Sequence, residues 1–101
     1  MKVLLVCAGG MSTSIVMKKM RTYAEQKGME GFEVAATGVG SFRDVVSEYD
    51  VILLGPQISY KKDDVVEGTN GQKPVGVITP ADYAIANCDS IFKQIDNLLN
   101  A

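Results

Sequence analysis

Lys2-Val3-Leu4-Leu5-Val6-Cys7-Ala8-Gly9-Gly10-Met11-Ser12-Thr13-Ser14 is the stretch on which the fold turns. Its first half is apolar on successive residues, so both faces of the strand it forms must be covered. Strands of that kind lie in the middle of parallel sheets. Gly9 and Gly10 then permit backbone shapes that other residues resist, and Ser12, Thr13 and Ser14 are residue types that open helices. Val16, Met20, Tyr23 and Ala24 follow at helical spacing among Lys18, Lys19, Arg21 and Glu25, with Gly28 as the natural stop. Strand, glycine loop and helix in that order open a βαβ unit.

Outward from there the pattern repeats. Residues 32–37 read as a second strand whose weak alternation suits a sheet edge. Ser41 and Asp44 look like a capping pair for a short helix carrying Phe42, Val45, Val46 and Tyr49 on one side. Val51-Ile52-Leu53-Leu54 is another fully apolar strand, closed by Gly55-Pro56. A weak helix is expected over 61–67, a turn over 68–71, and a fourth strand over 74–78. Thr79-Pro80 starts a helical turn, with proline at the first helical position. The last helix, 89–100, bears Ile91, Phe92, Ile95, Leu98 and Leu99. The expectation is an α/β fold over a single domain, 1–101: a four-stranded parallel sheet of order 2-1-3-4 with helices on both faces. Ligands of such sheets bind at the carboxyl ends of the strands where the order switches. Here that point lies between strands 1 and 3, beside Gly55-Pro56-Gln57.

Composition narrows the chemistry. In 101 residues, 47% apolar and 22% charged, a modest core is expected and a large enclosed cavity is not. The net charge of −2 lacks the basic footprint of a nucleic-acid binder. There is no His, so an internal histidine base or a histidine-ligated metal is excluded. The two cysteines, Cys7 and Cys88, have no metal spacing and are too few for a disulfide framework. No cofactor and no metal site are expected. Because a strand starts at Lys2 and the longest apolar run is far too short to span a bilayer, neither a leader nor membrane insertion is expected. A reduced, cytoplasmic setting suits two free thiols.

Cys7 carries the chemical signal. A helix start presents unpaired N–H groups and partial positive charge. A glycine turn lets successive amides converge on an anion. That surrounding favours a thiolate facing a phosphoryl-sized anion site, which points to a phosphocysteine. Cys88 lacks a glycine loop and reads as structural. Lys18, Lys19 and Arg21 read as a solvated helix face.

Cys7 to Ser14 resembles the phosphate loop of low-molecular-weight tyrosine phosphatases, in which an Arg stands six residues after the Cys. Here that position is Thr13. Without the guanidinium that clamps phosphoryl oxygens and stabilises the transition state, hydrolysis should be slow. Asp82, the one acid placed near this edge, is more simply a helix first-turn residue. Acceptance without hydrolysis is what a phosphoryl carrier requires.

Cys7-Ala8-Gly9-Gly10-Met11-Ser12-Thr13-Ser14 together with Leu53-Leu54-Gly55-Pro56-Gln57-Ile58-Ser59-Tyr60 is similar to the enzyme IIB component of the bacterial sugar phosphotransferase system, of the lactose/cellobiose (diacetylchitobiose) type. The resemblance spans the whole chain and implies a protein-phosphocysteine–sugar phosphotransferase component. By that resemblance, a phosphohistidine on a IIA protein donates to Cys7, and the phosphocysteine delivers to a sugar on the membrane IIC component. A cytoplasmic location, transiently at the inner face of the plasma membrane, goes with it; a monomer is expected because no long apolar surface stripe is left over. Backbone amides of Ala8, Gly9, Gly10, Met11, Ser12, Thr13 and Ser14 are expected to cradle the phosphate. The three hydroxyls either contact it or cap the helix. Met11, Gln57, Ile58 and Tyr60 border the site or form its docking surface, with an exposed apolar rim at Met11 and Ile58. The competing readings are a hydrolytic phosphatase on the same loop and a non-catalytic regulatory module.

Overall fold

Along strand β1 (Lys2–Cys7) the side chains alternate between two separate cores. In the computed structural model, which describes residues 1–7, 12–38 and 40–100 (Ser12 and Thr13 by their backbone alone), Val3 and Leu5 enter one core. Leu4 and Val6 enter the other. All four are essentially inaccessible, which is why the segment carries no polar face to read. β2 (Glu33–Gly38), β3 (Val51–Leu54) and β4 (Val75–Val77) complete a parallel sheet of order β2-β1-β3-β4. The order and the edge position of β2 are those expected from the sequence.

Helices α1 (Ser12–Gln26), α3 (Pro80–Ile85) and α4 (Cys88–Leu99) cover the first face. Val16, Met20 and Ala24 of α1 meet Ile91, Phe92 and Ile95 of α4 there. Tyr23 and Phe92 stack with ring centroids 4.7 Å apart, and Phe32, just outside β2, tilts onto Phe92 at 5.2 Å. Gly28 takes φ +68, the left-handed shape that ends α1 at the expected place.

The second face is built differently. Residues 42–49 form two 3₁₀ turns, Phe42–Asp44 and Val46–Glu48, where one short helix was expected. Ser41 makes no side-chain cap: its amide donates to the Gly38 carbonyl, and the Asp44 amide reaches the Ser41 carbonyl. Val45, in a non-helical conformation, separates the turns and lets both Phe42 and Val46 drop into the core with Ile52, Leu54 and Val65. A six-residue 3₁₀ stretch, Pro56–Lys61, runs into α2 (Lys62–Gly68), one residue later than expected. α4 begins at Cys88, one residue earlier than expected, because the Asn87 side chain accepts from the Ser90 amide and caps it.

Candidate active site

The Gly55 amide donates to the Val6 carbonyl at 3.0 Å, and the Ile78 amide to the Leu54 carbonyl at 2.9 Å. These bonds tie the exits of β1, β3 and β4 together at the carboxyl edge. Cys7 is the last residue of β1, paired with Gly38, and has the same parity as Val3 and Leu5. Gly55 continues the parity of Val51 and Leu53, which lie on that same face. A β-carbon placed on Gly55 would lie 3.9 Å from the Cys7 Cβ, 3.7 Å from Cε2 of Tyr83 and 2.9 Å from Oε1 of Gln57. Cys7, Gln57 and Tyr83 therefore surround the space at Gly55, at the expected switch point.

Cys7 itself is 9% exposed, and its Sγ donates to the Thr37 carbonyl at 3.7 Å. Ala8, Gly9, Gly10 and Met11 lie outside the described residues, as do the side chains of Ser12 and Thr13. The Ser14 side chain is at the solvent-facing start of α1.

The second loop is more informative. Gln57 is exposed and folds back over Gly55, whereas Tyr60 is 76% exposed. Ile58 forms no exposed rim. At 2% exposure it joins Leu54 and Val65 in the core of the opposite face, because the 3₁₀ turn after Gly55 brings its side chain back under the sheet. Among the described residues, Ile15 on α1 and Ile85 on α3 are exposed apolar side chains of this edge. With Pro56, Gln57, Pro80 and Tyr83 they line an open groove of about 550 Å³.

Asp82 has a structural place. Its amide donates to the Thr79 hydroxyl at 3.2 Å, and its carboxylate accepts from the Ser90 hydroxyl at 2.6 Å. It therefore fixes the corner between α3 and α4. Sequence reasoning missed Tyr83, which is 9% exposed. The signal was there in Thr79-Pro80: a helix starting at the carboxyl end of β4 must aim its first inward side chain at the strand exits.

Residues 2–94 match the model of the PTS system lactose/cellobiose-specific IIB subunit. The chain belongs to this family. Its role is accordingly phosphoryl transfer in sugar uptake, as a phosphotransferase component. It is 33% identical to the oligo-beta-mannoside-specific EIIB component of Bacillus subtilis, over 97% of this chain and 95% of that one. It is 31% identical to the galactose-specific EIIB component of Lactococcus lactis subsp. cremoris, over 95% and 94%. The solution structure of a cellobiose-specific IIB component from Borrelia burgdorferi superimposes with a TM-score of 0.80 at 32% identity, covering 99% of this chain and 92% of that one. A lactose-specific EIICB component of Staphylococcus aureus also matches, through only 12% of its length. No helix among the described residues of this IIB chain is long and apolar enough to cross a membrane.

Proposed function

We propose that Cys7 is the phosphoryl acceptor of this IIB chain, taking the group from a phosphohistidine of a IIA protein and passing it to a sugar held by the membrane IIC component. In the first step a lone pair on Sγ attacks phosphorus, and the thiol proton passes to the departing imidazole. The S–P bond forms as the N–P bond breaks, and the imidazole nitrogen keeps the bonding pair. In the second step a sugar hydroxyl oxygen attacks the same phosphorus, the S–P bond breaks, sulfur leaves as thiolate and the hydroxyl proton is released. Each step is an in-line exchange that asks for positioning and anion stabilisation. The amides of residues 8–14 supply the stabilisation, with the hydroxyls of Ser12, Thr13 and Ser14 either adding donors or capping α1. The missing guanidinium at position 13 keeps water from competing.

The observation that carries this reading is the place of Cys7: the closing residue of a central strand, five residues before a helix, at the switch point of the sheet. Gln57 and Tyr60 border the site or its docking surface. The carrier works as a cytoplasmic monomer that visits the inner face of the membrane. Phosphorylation adds about −1.5 to −2 charges at the loop and so changes which partner docks better. Relatives of nearly equal identity are named for galactose and for oligo-beta-mannosides, consistent with sugar choice residing on IIC.

The test is reconstitution of the full chain with phosphoenolpyruvate, the general phosphotransferase proteins and a IIA protein, followed by mass mapping. The expected product carries one phosphate on Cys7. A phosphate on Ser12, Thr13 or Ser14 instead would overturn the thiolate mechanism.

A further inference from the structure

A β-carbon at Gly55 would meet three side chains, and only two of them, Cys7 and Gln57, belong to the loops already assigned to the site. The third is Tyr83. Its ring lies against Gly55 from the side of α3, so that a β-carbon on Gly55 would be at ordinary contact distance from both the tyrosine ring and the Cys7 Cβ. Gly55 in turn is hydrogen-bonded to Val6, the residue before the thiol.

Tyr83 is held from both ends of its helix. Thr79 caps α3, the chain leaves α3 through Ala86 in the left-handed conformation at φ 48, and the Asn87 amide returns to the Asp82 carbonyl at 2.8 Å. The Ser90 hydroxyl on Asp82 then ties α3 to α4. A buried ring on so constrained a helix is a fixed wall, not a mobile side chain.

Resting on the assignment of Cys7 as acceptor, we infer that Tyr83 is a positioning residue for phosphoryl transfer: its ring closes one side of the methyl-sized space at Gly55, the Cys7 Cβ closes another, and the ring so bounds where the Cys7 sulfur stands. Transfer is sensitive to placement, since a misplacement of about 1 Å can cost on the order of a hundredfold.

The experiment measures phosphorylation of the full chain by a phosphorylated IIA protein in single turnovers, as a function of IIA concentration, with thermal midpoints alongside. Tyr83→Leu is expected to lower the maximal rate about tenfold while leaving the half-saturating IIA concentration unchanged. Tyr83→Phe, which keeps the ring edge on Gly55, is expected to fall closer to wild type than to Tyr83→Leu. Should Tyr83→Leu not fold, Gly55→Ala carries the test. Gly55 has φ −64 and ψ 150, which alanine adopts freely, and the only close approach is the far end of the flexible Gln57 side chain. The alanine methyl would fill the space between the Tyr83 ring and the Cys7 Cβ at ordinary contact distance, and is expected to slow transfer severalfold by changing how the two side chains bear on each other. A wild-type maximal rate in folded Tyr83→Leu, or in Gly55→Ala where that variant carries the test, overturns the inference. So does a raised half-saturation at unchanged maximal rate, which would make Tyr83 part of the docking surface. A wild-type chain that takes no phosphate on Cys7 fails the underlying assignment, a result visible before any Tyr83 variant is made.

Discussion

Cys7 and Cys88 stand on the same side of the sheet, each close to the start of a long helix, yet their surroundings differ in kind. Cys7 ends a central strand at the carboxyl edge, five residues ahead of α1, next to the exit of β3. Cys88 is the first residue of α4, packed against the core under α1 and lining a second groove with Ile15, Lys19 and Tyr23. Burial pushes the Cys88 thiol up, Lys19 opposes the shift, and Asp89 adds to it. A helix start alone therefore does not favour the thiolate at Cys88. The converging strand exits are what distinguish the position of Cys7.

The largest effect should separate the two directly. Cys7→Ser is expected to lower phosphoryl acceptance from a IIA protein by at least about a thousandfold, the scale of removing a nucleophile. Cys88→Ser should stay within about twofold of wild type. Equal losses in the two variants, measured in single turnovers, would erase the distinction.

A perturbation on the face away from both thiols sharpens it. A β-carbon on Gly68, at the end of α2, would lie 2.5 and 2.6 Å from ring carbons of Phe42, which is 2% exposed and cannot move aside. Gly68→Ala is expected to lower unfolding stability by about 1–3 kcal/mol, as overpacking does. The folded fraction should still transfer phosphate at the wild-type rate. Denaturant melts and single-turnover rates on one preparation check both halves.

That second face is also where the sequence was least legible. β1 and β3 were readable because a strand buried on both sides has no polar residue to confuse the pattern, and α4 because twelve residues allow one stripe to repeat. Phe42, Val45, Val46 and Tyr49 have helical spacing too. Over so short a span, two 3₁₀ turns bury Phe42 and Val46 equally well, and nothing local decides between them. Ser41 has the right residue type for a cap but leaves the work to backbone bonds. Ile58 misled for a related reason. A residue in a strand-to-helix connection reads as surface, yet the 3₁₀ turn from Pro56 folds it under the sheet. At the site, the position of Cys7 and the convergence with Gly55 and Gln57 followed from strand order alone. Tyr83 did not, because its role depends on where a six-residue helix points.

A smaller effect concerns the cap beneath Cys88. Asn87→Ala removes the acceptor for the Ser90 amide and should cost about 1 kcal/mol. Fraying the first turn of α4 frees Cys88 more than Cys7. Alkylation of Cys88 by iodoacetamide should rise, with acceptance of phosphate at Cys7 unaltered. A variant that slows transfer as much as it speeds Cys88 alkylation would show that the two thiols are coupled through the α3–α4 corner.

The smallest effect is on pH. The Asp89 carboxylate takes the Tyr23 hydrogen bond and, with burial and further charges at Cys88 and Asp96, pushes the phenol up; burial and Asp89 push the Cys88 thiol up against the pull of Lys19. Both groups hold their protons more tightly folded than unfolded. Their contribution to stability is therefore complete below the ordinary thiol and phenol values of 9.0 and 10.0, and is lost as pH rises through the raised ones. The thermal midpoint should fall as pH climbs beyond about 9, and Asp89→Asn should flatten that fall by relieving both groups at once. Because both sites are partly solvated, the change should be no more than about a few degrees. Cys7 is not part of this cluster, so the fraction of chain phosphorylated at saturating IIA should not track the Asp89→Asn change. If it did, the pH behaviour would belong to the acceptor thiol and the contrast between the two cysteines would fail.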